Sequence, residues 1–205
     1  MNRMITKGRL KSQQKPYLFI IAGPNGAEKT TLAPVLLRDA FDLTEYVNAD
    51  PIAQGLSGFH PESVDFEAGR IMLKRVHALA ERLTSFAFET TLATRSYVRW
   101  IRKIKQRGYT VHLLFLSLRT PEVAVQRVKE RVRLGGHDVE EKVIVRRFSR
   151  GLKNFFQLYM QLSNTWGFYD NSDSGEPGLI ALGRGKRPTR IFHRSNWEAF
   201  KEYSD

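Results

Sequence analysis

Residues 23–31 read Gly23-Pro24-Asn25-Gly26-Ala27-Glu28-Lys29-Thr30-Thr31, and the reading of this stretch governs the rest of the chain. The apolar run Tyr17-Leu18-Phe19-Ile20-Ile21-Ala22 precedes it, and the amphipathic LAPVLLRD follows. A buried strand, a glycine turn and a helix, in that order, form the setting of a phosphate-binding loop. Gly23, Lys29 and Thr30 stand at its spacing. Glycines let backbone N–H groups converge on phosphate oxygens at a helix N-terminus. Lys29 then reaches the β- and γ-phosphates of ATP, and Thr30 offers its hydroxyl to Mg²⁺. One position departs from the pattern: the residue before the lysine, ordinarily glycine, is Glu28. At about 5 Å and an effective dielectric of about 20, each like-charge pair costs about 3 kcal/mol. ATP binding weakened by roughly two orders of magnitude is therefore expected if nothing compensates.

Outward from this loop, strand and helix patterns alternate. The periodicity predicts a helix over 30–39, a short strand at 46–48 and a long helix over 61–83. A strand at 85–89, a basic helix at 95–106 and the most apolar strand, 111–118, follow. Helices are expected over 121–133, 139–150 and 152–163, interrupted by Gly135-Gly136. Late strands at 166–170, 179–182 and 190–192 and a terminal helix at 197–203 complete the reading. Residues 183–190 read as a basic solvated loop. Such alternation implies βαβ units around a mostly parallel sheet, a single α/β domain over 16–205 behind a loosely ordered basic arm, 1–15.

Composition narrows the function classes. The 205 residues are 41% hydrophobic and 26% charged, as a soluble globular chain requires, and include no cysteine. Disulfides, cysteine metal sites and thiol nucleophiles are thereby excluded. No apolar run has the length of a membrane span, and the basic N-terminus lacks the apolar core of a secretion signal. A cytoplasmic location without membrane partners is expected. A net charge of +12 suits anionic ligands. Because the charge is spread over several segments, small phosphorylated ligands are favoured over nucleic acid. His60, His77, His112, His137 and His193 show no ligand spacing and are read as structural or surface residues, with no zinc site expected. Phe155, Phe156 and Tyr159 are assigned to the core.

Three further stations carry chemistry. Asp50 stands at the C-terminal end of the second strand, on the rim where open α/β sheets place ligands. It can take the proton of an attacking hydroxyl; a cap of the turn before Pro51 is an equally good account of it. Glu89, followed by Thr90 and Thr91, ends the third strand on the same rim. There it can hold a substrate hydroxyl, support a metal shell or take part in capping the next helix. The strand 111–118 ends without an acid, so a kinase fits better than a motor ATPase. Finally, Arg127, Arg131, Arg133, Arg146, Arg147 and Arg150 flank the Gly-Gly turn. Most are solvated, but one from each helix can close over a triphosphate as a lid.

With those residues in place, the chain resembles the zeta toxin family of P-loop kinases from about Tyr17 to Leu182. The resemblance rests on GPNGAEKTT, VNADPIAQGL, FAFETTLATRS and RVRLGGHDVEEKVIVRRFSRGLKNFF in that order. It implies a P-loop NTPase-type three-layer sandwich with a mostly parallel sheet and a helical lid. It also implies ATP and Mg²⁺ as cofactors, and transfer to a hydroxyl of a small metabolite. Family members use UDP-N-acetylglucosamine. Carried over, Lys29 and Thr30 are the phosphate and metal contacts, Asp50 the general base, and Glu89 and Thr91 substrate contacts. Arg133 and Arg146 match the arginines over the γ-phosphate, and an antitoxin protein is implied as a partner. Two other classes stay open: a nucleotide-binding module disabled by Glu28, and a nucleic-acid-binding or nucleic-acid-kinase protein.

Overall fold

The computed structural model describes residues 15–31, 37, 43–173 and 175–204. The arm expected over 1–15 lies almost wholly outside them. Of the helix expected over 30–39, Thr30, Thr31 and Leu37 are described and are helical.

Seven strands form one sheet. In chain order they are β1 (Tyr17–Ala22), β2 (Tyr46–Val47), β3 (Phe86–Thr90), β4 (Thr110–Ser117), β5 (Thr165–Asp170), β6 (Gly178–Arg184) and β7 (Arg187–Ile191). Their spatial order is β2-β3-β1-β4-β5-β6-β7. The first five run parallel, and β6 and β7 add antiparallel edges. From Leu18 onward β1 is buried on both faces, as a central strand with helices above and below requires. Strand order reverses around β1, which makes the crevice at its C-terminal end the ligand position of an open α/β sheet.

The helices are α1 (Ala49–Leu56), α2 (Asp65–Glu81), α3 (Tyr97–Gln106), α4 (Pro121–Arg133), α5 (Glu141–Asn154), a π-helical turn (Phe155–Tyr159), α6 (Met160–Leu162) and α7 (Arg194–Glu202). Of the three aromatics assigned to the core, Phe155 and Tyr159 are fully buried and Phe156 is partly buried against it. Phe155 joins an aromatic cluster in which Phe115 stacks on Phe168 and Trp166 stacks on Trp197. That cluster fastens α7 to β4 and β5. Among the described residues no helix is long and apolar enough to cross a membrane.

Two segments depart from the sequence expectation. Residues 49–56 form a helix, α1, where a turn before Pro51 was expected. Asn48 caps it, its Oδ1 accepting from the Asp50 N–H at 3.0 Å, and proline is tolerated in the first turn. Residues 183–190 are a hairpin rather than a solvated loop, with Arg184 opposite Arg187. Strand β7 is exposed on both faces except at Ile191, so it carries no alternating apolar signal. Its arginines and Pro188 are the residues expected on a protected edge.

The phosphate loop begins where β1 ends, and Gly23 makes its sharpest demand. Gly23 has φ +148°, and a Cβ there would lie 2.0 Å from the Leu116 carbonyl oxygen of β4. Gly23→Ala is expected to cost about 3 kcal/mol, from overpacking and backbone strain together. For a chain of this size that lowers Tm by roughly 6–12 °C. Thermal unfolding checks it, and an unchanged Tm would show that β4 yields freely.

Candidate functional site

The register Ile21↔Glu89 and Ala22↔Thr90 places the end of β3 beside the start of the phosphate loop. Glu89, only 8% exposed, is the hub there. Lys29 Nζ stands 3.7 Å from Glu89 Oε1 and donates to the Pro24 carbonyl at 2.8 Å. Thr30 Oγ1 donates to the two Glu89 oxygens at 3.0 and 3.3 Å. Tyr46 Oη and Asn48 Nδ2 donate to Oε2 at 2.5 and 3.0 Å. Burial, and then the adjacent Glu89 carboxylate, hold the Tyr46 hydroxyl far above its usual range. The phenol therefore stays protonated and remains a donor. Among the described residues Glu89 takes no part in capping α3; its partners there belong to the phosphate loop and to β2 with the turn after it.

Asn48 ties two functions together. Its Nδ2 holds Glu89 while its Oδ1 caps α1. Asp50 is thus relieved of the capping duty that the sequence left open. Its carboxylate is exposed and has no hydrogen-bond or ion-pair partner among the described residues.

The Glu28 side chain lies at the solvent-exposed edge of the loop, with Oε2 accepting from Thr31 Oγ1 at 3.1 Å. The backbone carries the anomaly instead: Glu28 has φ +55°, the left-handed conformation in which glycine is at ease.

Two cavities meet over this loop. The smaller, about 250 Å³, is lined by Asn25, Gly26 and Glu28 to Thr31 of the loop together with Asp50, Gln54, Glu89, Arg131, Gly136 and His137. The larger, about 630 Å³, is lined by Thr91, Asp65, Phe66, Arg70, Arg146 and Arg150 among others. Asn25, Lys29, Asp50, Glu89 and His137 form the wall common to both. Thr30 and Glu89 present a hydroxyl and a carboxylate side by side. An all-oxygen donor pair of that kind fits Mg²⁺ bound between a P-loop and its phosphates.

The arginines separate. Arg146 lines the larger cavity, whereas Arg133 lines a surface cleft with Glu122, Lys129, Glu130 and Glu141. On α4 it is Arg131, and not Arg133, that lines the smaller cavity over the loop. Two residues along a helix are about 200° around its axis, so Arg131 and Arg133 cannot share a face. Arg127, one turn before Arg131, confirms the phase: its guanidinium contacts the Gly26 carbonyl at 3.4 Å and Ser172 O at 2.9 Å. An i, i+4 pairing with Arg127 is the sequence signal that singles out Arg131.

After α4 the chain reverses through a Schellman turn. Gly136 N–H bonds Arg131 O and Gly135 N–H bonds Val132 O, with Gly135 at φ +84°. This returns His137 over Arg131, whose Nη2 donates to the His137 carbonyl at 2.7 Å. His137, read from sequence as structural or surface, lies in the wall common to the two cavities.

Three buried side-chain atoms lack a hydrogen-bond partner among the described residues: Asn25 Oδ1, Arg131 Nε and His137 Nδ1. All three belong to residues lining the smaller cavity. An unmade buried hydrogen bond costs about 1–3 kcal/mol, so the wall of this cavity carries a concentrated polar cost.

The zeta toxin sequence profile matches residues 2–173. An uncharacterized protein of Haemophilus influenzae is 28% identical over 145 residues, covering 71% of this chain and all of that protein. A chain of the AvrRxo1-ORF1:-ORF2 complex solved with ATP superposes with a TM-score of 0.70 at 17% identity. That match covers 94% of this chain and 64% of the other, so this chain spans under two thirds of that protein's length. A structure of the PezAT chromosomal toxin-antitoxin system of Streptococcus pneumoniae matches at a TM-score of 0.61 and 15% identity, over 97% of this chain and 89% of that one. At such identities the superpositions speak for a common P-loop α/β fold. Because the profile runs unbroken through the phosphate loop, the strand ends and the lid, the chain belongs to the zeta toxin family.

Proposed function

We propose that the protein is an ATP-dependent phosphotransferase of the zeta toxin type, acting on a hydroxyl of a small anionic metabolite such as a sugar nucleotide. The observation that carries this reading is the common wall of the two cavities: Lys29 and Asp50 lie where a γ-phosphate in one would face an acceptor in the other. Arg146, Arg147 and Arg150 along the larger cavity suit an acceptor that itself bears phosphate. Asp50 would take the proton of the acceptor hydroxyl as its oxygen bonds to the γ-phosphorus. The bond from that phosphorus to the β,γ-bridging oxygen would break, leaving ADP. Lys29 and Arg131 would carry the developing charge. Thr30 and Glu89 would hold Mg²⁺, which neutralises phosphate charge when bound. The similarity to a structure of the PezAT toxin-antitoxin system supports an antitoxin partner for this chain.

The test is transfer from γ-labelled ATP to a panel of sugar nucleotides, including UDP-N-acetylglucosamine. No labelled product from any acceptor, with ATP bound, would favour a nucleotide-binding module without transfer.

Glu28 should tune this activity. Glu28→Gly is expected to bind ATP-Mg²⁺ about tenfold more tightly and to raise Tm by roughly 2–4 °C. Its carboxylate is exposed, so each phosphate charge about 5 Å away feels only about 0.8 kcal/mol at the dielectric of water, and two such charges give about tenfold. This is less than the two orders of magnitude that a carboxylate pointing into the loop would cost. The left-handed backbone costs about 1–2 kcal/mol with or without nucleotide, so it enters stability rather than affinity. Glycine's greater freedom in the unfolded chain offsets about 0.4–1 kcal/mol of that gain. Glu28→Gln separates the two effects: affinity should rise and Tm should not. Calorimetric titration giving equal ATP affinities for all three proteins would refute the electrostatic part.

A further inference from the structure

We infer that His137 is a catalytic group of the transfer reaction, its Nδ1 donating to the phosphoryl group in flight, with Asp65 as the residue that positions it. The inference rests on the kinase reading above and adds a group to it.

Four observations converge on this histidine. Its side chain is 10% exposed although it belongs to a surface turn. Its Nδ1 is buried without a partner among the described residues. Its Nε2 stands 3.7 Å from Asp65 Oδ1, within ion-pair range. And it lines both cavities, the one read as holding phosphate and the one read as holding the acceptor. A histidine serving packing alone satisfies both nitrogens or turns one to solvent. This one has Asp65 beside one nitrogen and keeps the other buried and unpartnered among the described residues, in the wall that the two cavities share.

The turn explains how it comes there. A Cβ on Gly136 would lie 2.6 Å from Arg131 Cγ and 2.9 Å from the Arg131 carbonyl oxygen. Only glycine lets the chain descend onto Arg131, and the Arg131 Nη2 bond to the His137 carbonyl fixes the descent. Asp65 approaches from the start of α2, an element independent of the lid. With a hydrogen on each nitrogen the ring can hold Asp65 through Nε2 and donate through Nδ1. No proton leaves the ring in this step. His137 supplies a hydrogen bond that strengthens as charge moves onto the phosphoryl oxygens.

Two measurements test it on the full chain. In the first, the imidazole nitrogens are followed by long-range ¹H–¹⁵N correlation during titration with the magnesium complex of AMP-PNP, with His137→Gln providing the assignment. His137 Nδ1 is expected to shift on binding. Shifts of the Gly26 and Lys29 amides with His137 Nδ1 unmoved would overturn the inference and leave the kinase reading standing. No shift anywhere would count against the nucleotide site itself, and the inference would fall with it.

In the second, ATP hydrolysis is measured, with water as the acceptor. His137→Ala is expected to lower kcat about 30-fold with KM for ATP within threefold. His137→Asn sets an amide N–H near the position of Nδ1, whereas His137→Gln sets one near Nε2. Asn should therefore recover several-fold over Ala, and Gln should not. Asp65→Asn should lower kcat about fivefold without changing KM. A His137→Ala protein that unfolds at the wild-type temperature and keeps its kcat within twofold would refute the role. Equal values for Asn and Gln would do the same.

Discussion

Arg131→Ala is expected to lower phosphoryl transfer by about a thousandfold, while Arg133→Ala changes it by less than threefold. The first figure is the lower end of what an arginine set against a transferring phosphoryl group supplies. Arg131 qualifies on position: it lines the cavity over the phosphate loop, and its Nε is buried without a partner among the described residues. Arg133 faces Glu130 and Glu141 in a separate cleft. The two substitutions remove the same charge from the same helix, so any effect of net charge cancels in the comparison. Loss of the Arg131 bond to the His137 carbonyl loosens the lid as well, and Arg131→Lys isolates that contribution. Lysine keeps the charge without the planar fork and should recover no more than about tenfold. Single-turnover transfer with γ-labelled ATP measures all three. A large loss at Arg133 with little at Arg131 would mean that α4 turns about its axis when nucleotide binds.

How much of this was legible in the sequence depends on how local each determinant is. The phosphate loop was legible because glycine spacing, a preceding apolar strand and Lys29-Thr30 are constraints within one short segment. Glu89 was legible as a strand end, and the register Ile21↔Glu89 sets it beside the loop. Its roles were not, because Tyr46 and Asn48 reach it from a neighbouring strand and the turn after it. Helix α1 was missed because Pro51 and Gly55 suppress helical propensity. Asn48 as cap, with proline in the first turn, was the signal that outweighed them. The choice between Arg131 and Arg133 is a question of helical phase. Phase is fixed by what the helix packs on, here Gly26 against Ala124 and Arg127. The sequence assigns the cost at Glu28 to charge, whereas its left-handed backbone angle, invisible in composition, adds a cost in stability. His137 could not be separated from four other histidines until the Gly135-Gly136 turn was seen to return it over the loop.

Asp50→Asn is expected to lower kcat by about a thousandfold while leaving ATP affinity unchanged or slightly improved. General-base catalysis by a positioned carboxylate is worth about 10²–10⁴-fold, and an amide of the same shape cannot accept the proton. The substitution is unusually clean here because Asp50 does not hold its own helix. Asn48 caps α1, and the Asp50 N–H that it accepts from is untouched by a side-chain change. What α1 loses is the favourable interaction of an acid in its first turn, about 0.3–1 kcal/mol, or at most a few degrees in Tm. A thousandfold loss of transfer with an intact fold would therefore report on chemistry. Removing a negative charge from the wall of the phosphate cavity should also ease nucleotide binding, opposite to the effect of a structural lesion. Undiminished transfer by Asp50→Asn would remove the base from this residue. Among the carboxylates of the common wall only Glu89 would then remain, committed to Tyr46, Asn48, Thr30 and Lys29.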